Sequence, residues 1–103
     1  MTQAFRKFKI PFPLVDIYFF KWNYRKQTNI HNHCDCYMFL LNGVLKETLY
    51  NKNLRRINTN IYKTPSISFI NNSIGYHDIT VLRKHTYSIH VYYPKNFKTT
   101  YYN

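Results

Sequence analysis

The sequence predicts an all-β fold. Short runs rich in aromatic and β-branched residues recur along the chain, turn residues separate them, and Pro11, Pro13, Pro65 and Pro94 interrupt any helical period. The predicted strands run from Val15 to Trp22, Thr28 to His33, Cys36 to Leu41, Val44 to Asn51, Arg56 to Tyr62, Ser66 to Ile70, Asp78 to Leu82 and Tyr87 to Tyr93. Asn42-Gly43, between two apolar runs, reads as a type I′ hairpin turn, because both central positions of that turn need φ > 0. Asn51-Lys52-Asn53 and Asn71-Asn72-Ser73 mark further turns. Many short strands with frequent turns indicate a sandwich or a small barrel.

With 103 residues, one domain covering residues 1–103 is expected, with a single modest core supplied by eight Phe, eleven Tyr and one Trp. The longest nearly apolar run, Tyr37 to Leu41, is far short of the roughly 20 residues of a membrane span. The opening MTQAFRKFKI has no apolar h-region, so a cytoplasmic protein without a membrane partner is expected. The formal charge of +11 invites an anionic partner. The fifteen Lys and Arg are spread from Arg6 to Lys98 instead of gathered in a stripe, and Asn, Ile, Lys and Tyr are abundant throughout. That pattern reads as solvated surface charge in a chain from an AT-rich genome, and argues against nucleic-acid binding. Cys34 and Cys36 stand two apart, too poorly placed for a relaxed disulfide, and both are expected as free thiols.

Three histidines are placed for chemistry. His31 and His33, in IHNH, share one face of an extended strand and could occupy adjacent positions on one metal ion; His77, in NNSIGYH, could close a triad. A second pattern lies in TYSIHVYYP, residues 86–94, where Thr86, Ser88, His90 and Tyr92 alternate with Tyr87, Ile89, Val91 and Tyr93. Burial arithmetic alone turns Ile89 and Val91 inward and the polar stripe to solvent.

Four motifs together resemble the cysteine dioxygenase family, thiol dioxygenases of the cupin superfamily. IHNH is similar to the family's I-H-D-H, and LLNGVLKETLY (residues 40–50) to its L-L-x-G-x-L-K-E-T-L-F/Y. INNSIGYH (residues 70–77) is similar to I-N-D-S-I-G-L-H, and SIHVYYP (residues 88–94) to S-L-H-L-Y-S-P. They fall in the family's order over the stretch from Trp22 to Pro94. The resemblance implies a cupin β-barrel binding Fe(II) through His31, His33 and His77, with the activity of oxidising a cysteine thiol to the sulfinate with O₂. Each ligand histidine should donate its other ring N–H to an outer acceptor. It makes Ser88, His90 and Tyr92 a relay whose phenol reaches toward the metal site, and turns that stripe into the barrel. It makes Cys36 the cysteine that forms a thioether with Tyr92, a position where ordinary cupins keep a metal-binding Glu. Glu47 is read as a hairpin charge.

The chain departs from the family pattern in two places. Two residues separate His33 from Cys36 where the family has four, so that turn is tighter. The family's carboxylate-binding Arg falls in FRKFK, residues 5–9, with Arg6 the first candidate and Lys7 or Lys9 the second. Residues 1–13 match the family weakly, residues 95–103 read as a tail, and the family's helical N-terminal part and C-terminal strands find no counterpart. The expected protein is a monomeric minimal cupin acting on L-cysteine and O₂. Two readings stay open beside it: a cupin dioxygenase for a mercaptocarboxylate or the N-terminal cysteine of a peptide, and a basic binding protein that keeps the fold without turnover.

Overall fold

The computed structural model describes residues 4–32, 34–71, 74–96 and 99–102. Among them ten strands form: β1 (Phe5–Ile10), β2 (Asp16–Trp22), β3 (Ile30–His31), β4 (Asp35–Asn42), β5 (Val44–Tyr50), β6 (Arg56–Lys63), β7 (Ser66–Ile70), β8 (Tyr76–Val81), β9 (Thr86–Tyr93) and β10 (Tyr101–Tyr102). They make two five-stranded sheets, ordered β1-β2-β9-β4-β7 and β10-β3-β8-β5-β6, with antiparallel pairing throughout. No helix is long and apolar enough to cross a membrane.

The eight predicted strands all form, with ends shifted by a few residues. Two more were not anticipated. FRKFKI carries cations at three of its six positions, Arg6, Lys7 and Lys9, and it becomes a strand by pairing along β2, from Phe5 opposite Trp22 to Ile10 opposite Ile17. Tyr101 and Tyr102 pair with His31 and Ile30, so the tail returns to the mouth of the second sheet.

The core lies between the sheets. Phe20, Trp22, Met38 and Leu40 come from the first sheet and meet Leu45, Ile79 and Val81 from the second. Strand parity then settles the direction of β9. Thr86, Ser88 and His90 are buried while Tyr87, Ile89 and Val91 are only partly so, because β9 lies mid-sheet between β2 and β4 with its polar face toward the core. The polar stripe looks inward, against the burial arithmetic and with the family resemblance.

Asn42-Gly43 is not a hairpin turn. β4 and β5 belong to different sheets, and the dipeptide carries the chain over the corner between them. Gly43 does have the positive φ foreseen, +99°, and a Cβ there would sit 2.0 Å from Thr86 Oγ1 and 2.7 Å from Thr86 Cα. Local sequence anticipated the positive φ at Gly43, but not that Asn42 stays in the strand without one, nor the sheet each flanking strand joins. Gly43→Ala is therefore expected to destabilise the fold by about 2–4 kcal/mol, from left-handed backbone strain plus overpacking against Thr86, read as a lower urea midpoint. A midpoint equal to wild type would contradict this corner. By contrast Asn51-Lys52-Asn53 does turn a true hairpin between β5 and β6, with Asn51 Oδ1 accepting from the backbone N–H of Asn53 (2.9 Å) and Arg55 (3.1 Å).

Candidate metal centre

A cavity of about 90 Å³ opens between the sheets, large enough for a few waters or a small ligand. His31 and His77 enter it from the second sheet, and Ser68, Cys36, His90 and Tyr92 from the first. β3 and β8 set His31 directly opposite His77, with ring centroids 4.6 Å apart and both rings buried.

Each ring has its Nδ1 held from outside the cavity. His31 Nδ1 lies 2.7 Å from the Asn29 carbonyl oxygen, which can only accept, so this nitrogen carries the proton. His77 Nδ1 lies 2.7 Å from Glu47 Oε2. With Nδ1 so held, the nitrogen of each ring left to carry the lone pair toward a metal is Nε2. Burial, and next the neighbouring His77, pushes the His31 pKa down from 6.5 to about 3, which keeps this ring neutral.

Glu47 is no hairpin charge. It is buried, pointing inward from β5 in phase with Leu45. Burial pushes its carboxyl up, but hydrogen bonds outweigh that and hold it below the usual range: from His77, from the Tyr62 hydroxyl at 2.8 Å and from Asn60 Nδ2 at 3.2 Å. It is the outer acceptor that a ligand histidine needs. An acid in phase with Leu45 on a half-buried strand was the sequence signal for it.

The relay residues are joined in a chain. Trp22 Nε1–H donates to Ser88 Oγ at 2.8 Å, Ser88 Oγ lies 2.7 Å from His90 Nε2, and His90 Nδ1 lies 3.3 Å from the Tyr92 hydroxyl. An indole N–H can only donate, so the Ser88 proton is satisfied by pointing on to His90 Nε2. That leaves the His90 proton on Nδ1, directed at Tyr92 oxygen. Burial, then the nearby His77 and His31, lowers the His90 pKa from 6.5 to about 3. Trp22 as the anchor of this chain went unread in the sequence, where it served only as a core aromatic.

Cys36 is buried and sits directly opposite Tyr92 in the β4–β9 register, with its thiol and the phenol in hydrogen-bonding contact. The tighter turn before Cys36 leaves this pairing intact. Burial raises both groups; charge on Cys34 lifts the thiol further, against the lowering hydrogen bond from Tyr92, and charge on Cys36 lifts the phenol, so both stay protonated near neutral pH.

Of the basic candidates, Lys7 lines the cavity and Arg6 does not. Parity on β1 sends Arg6 to the outer face, where its guanidinium lies over the Phe8 ring at 5.6 Å; Lys7 instead lies 4.6 Å over the Tyr18 ring, next to Tyr92. Lys9 pairs with the buried Asp16 at 3.6 Å, as does Lys95 at 3.3 Å. Asp16 and Tyr101 complete the wall, Tyr101 beside His31 at 5.4 Å between rings.

His33 lies outside the described residues. Among the described residues, no group of three or more His, Cys, Asp or Glu is gathered closely enough to hold a metal ion. The donor chemistry that is described does fit a divalent transition metal: two imidazoles side by side, each fixed through Nδ1, one of them by a carboxylate.

Solved structures with the same fold include oxalate decarboxylases. One has a TM-score of 0.78 at 6% identity, and the Bacillus subtilis enzyme 0.79 at 10%. Each alignment covers 98% of this chain but 29% of the other, so the chain spans about three tenths of their length. A cupin 2 domain-containing protein from Halorhodospira halophila aligns with a TM-score of 0.72 at 10% identity, over 97% of this chain and 71% of that one. These likenesses establish the cupin fold. No curated protein sequence matches the chain. The family model for cysteine dioxygenase type I matches residues 14–103, which takes in the paired histidines, the Glu47 strand and the whole relay, and the chain belongs to that family.

Proposed function

We propose that the protein is a non-haem Fe(II) thiol dioxygenase that converts L-cysteine and O₂ to cysteine sulfinate. The observation that carries this reading is the meeting, across one small cavity, of the His31–His77 pair and the Trp22-Ser88-His90-Tyr92 chain. His31 and His77 would hold the iron together with His33, the third histidine of the motif. Bound iron would supply the electron transfer between thiol and O₂, which combine atom for atom as RSH + O₂ → RSO₂H without an outside reductant.

The chain's own residues handle position and protons. Glu47 keeps His77 in the ligating tautomer and rotamer. The relay holds the Tyr92 phenol protonated and aimed into the cavity, where it can donate to the reacting sulfur or oxygen. Cys36 would form its thioether to the ring of Tyr92 by an oxidation that removes one hydrogen from each residue, two electrons in all, with O₂ as acceptor. Phe20, Trp22, Met38 and Ile79 wall off water.

Lys7 is the residue proposed to bind the substrate carboxylate. A charge-assisted contact of this kind is worth about 1.5–3 kcal/mol, so Lys7→Ala should raise KM for cysteine roughly 10–100-fold. The same variant should leave cysteamine, which has no carboxylate, nearly unchanged. Equal losses on both thiols would remove Lys7 from the substrate site. Because a lysine reads a carboxylate as a point charge and not through a fork, mercaptopropionate is the second substrate to test. Oxygen uptake with cysteine and with mercaptopropionate, on protein whose iron has been assayed, tests the reading. Iron with uptake on a thiol supports it; a folded protein with neither iron nor uptake would be a binding protein that keeps the fold.

A further inference from the structure

The outer face of the first sheet is apolar from edge to edge. One row of register partners crosses all five strands as Phe8, Phe19, Ile89, Phe39 and Ile67. The next outward row crosses them as Ile10, Ile17, Val91, Tyr37 and Phe69. Among these ten side chains the Tyr37 hydroxyl is the single polar group. Charge stands only at the margin, where Arg6 pairs with Lys21 beyond one end of the rows and Asp35 lies beyond the other.

These residues are exposed to a degree that the fold itself does not account for. Phe8 is 45% exposed, Tyr37 49% and Ile67 68%. At the exposures they show, the ten side chains offer on the order of 700 Å² of apolar surface, where the largest patch on a typical monomer is roughly 300–600 Å². A standard protein–protein interface takes about 800 Å² from each partner. The rows therefore supply most of one side of a stable interface.

We infer that this face joins two copies of the chain in a two-fold dimer, sheet against sheet. The occupant follows from the surface. A broad twisted antiparallel sheet with an apolar outer face is complementary to another of its kind, as in the face-to-face packing of sandwich sheets about 10 Å apart. A two-fold interface asks only that one patch match itself. The face offers no charged group within its rows to recognise an acidic or basic partner. A two-fold dimer departs from the monomer that the sequence reading expects. The inference does not depend on the proposed chemistry, since the cavity opens on the opposite face of the same sheet.

Charge gives the dimer a signature. Two copies at a formal +11 each repel at long range, and salt screens that repulsion while leaving apolar contact in place. Association should tighten as NaCl rises from 50 to 500 mM, whereas a complex with an acidic partner would loosen. Sedimentation equilibrium on the full chain, from about 1 to 200 μM, should show a monomer–dimer equilibrium. Phe39→Lys and Ile67→Lys should each weaken it at least tenfold while circular dichroism and iron content stay as in wild type. A monomer at every concentration and salt would overturn the inference and leave the face to another partner or segment. So would open-ended aggregation, or a dimer that both folded variants retain.

Discussion

His77→Ala is expected to empty the metal site. The ring sits opposite His31, and its lone-pair nitrogen is fixed by the 2.7 Å contact of Nδ1 with Glu47. Outer partners of metal ligands alone are worth 10–100-fold in affinity, so loss of the ligand itself should exceed roughly 100-fold. The same substitution strands a buried carboxylate, and some loss of thermal stability should accompany it. Glu47→Gln separates the two effects. Glutamine keeps one oxygen to accept from His77 Nδ1–H in place of Oε2, while its NH₂ takes the Oε1 position and donates to the Tyr62 hydroxyl, so the fold should hold while iron affinity falls about tenfold. If Glu47→Gln binds iron as wild type does, the carboxylate serves the fold and not the metal.

Tyr92→Phe is expected to lower turnover by roughly 100-fold while iron content remains unchanged. The phenol is the last group in a hydrogen-bonded chain that begins at the Trp22 indole, and that chain ends at the cavity wall. Removing it leaves the imidazole of His90 in place, so the packing of His90 on Phe20, with ring centroids 3.9 Å apart, should survive. The same variant should abolish the second band expected on a denaturing gel after exposure to iron, cysteine and O₂, as should Cys36→Ser. The crosslinked species is lighter by two hydrogens in intact mass. A doublet that persists in Cys36→Ser would break the proposed pairing with Tyr92.

How far these residues could be read in advance depended on what kind of information each required. Strand positions were legible because alternation and turn residues are local. The inward direction of Ser88, His90 and Tyr92 was not legible from burial, since Ile89 and Val91 on the other face are the more hydrophobic set; it came from the motifs. The physical reason now stands in the topology: the outer face of that sheet is itself apolar, so on β9 hydrophobicity marks the outward side and burial arithmetic chooses the wrong one. Asn42-Gly43 shows the converse limit: the positive φ appears at Gly43 alone, and its consequence depends on which sheets the flanking strands join. That Lys7 and not Arg6 lines the cavity follows from parity, which could be counted only once FRKFKI was known to pair with β2. Glu47 was hidden by the habit of reading an acid as exposed, although its phase with Leu45 pointed inward.

The most direct measurement is iron bound per chain after anaerobic loading with Fe(II) and removal of excess metal, for the wild type beside the His31→Ala/His77→Ala double variant. The predicted result is close to one iron per wild-type chain and almost none in the variant, with both folded by circular dichroism. A folded wild type that retains no iron, or a double variant that retains as much as the wild type, would contradict a metal centre built on these two histidines.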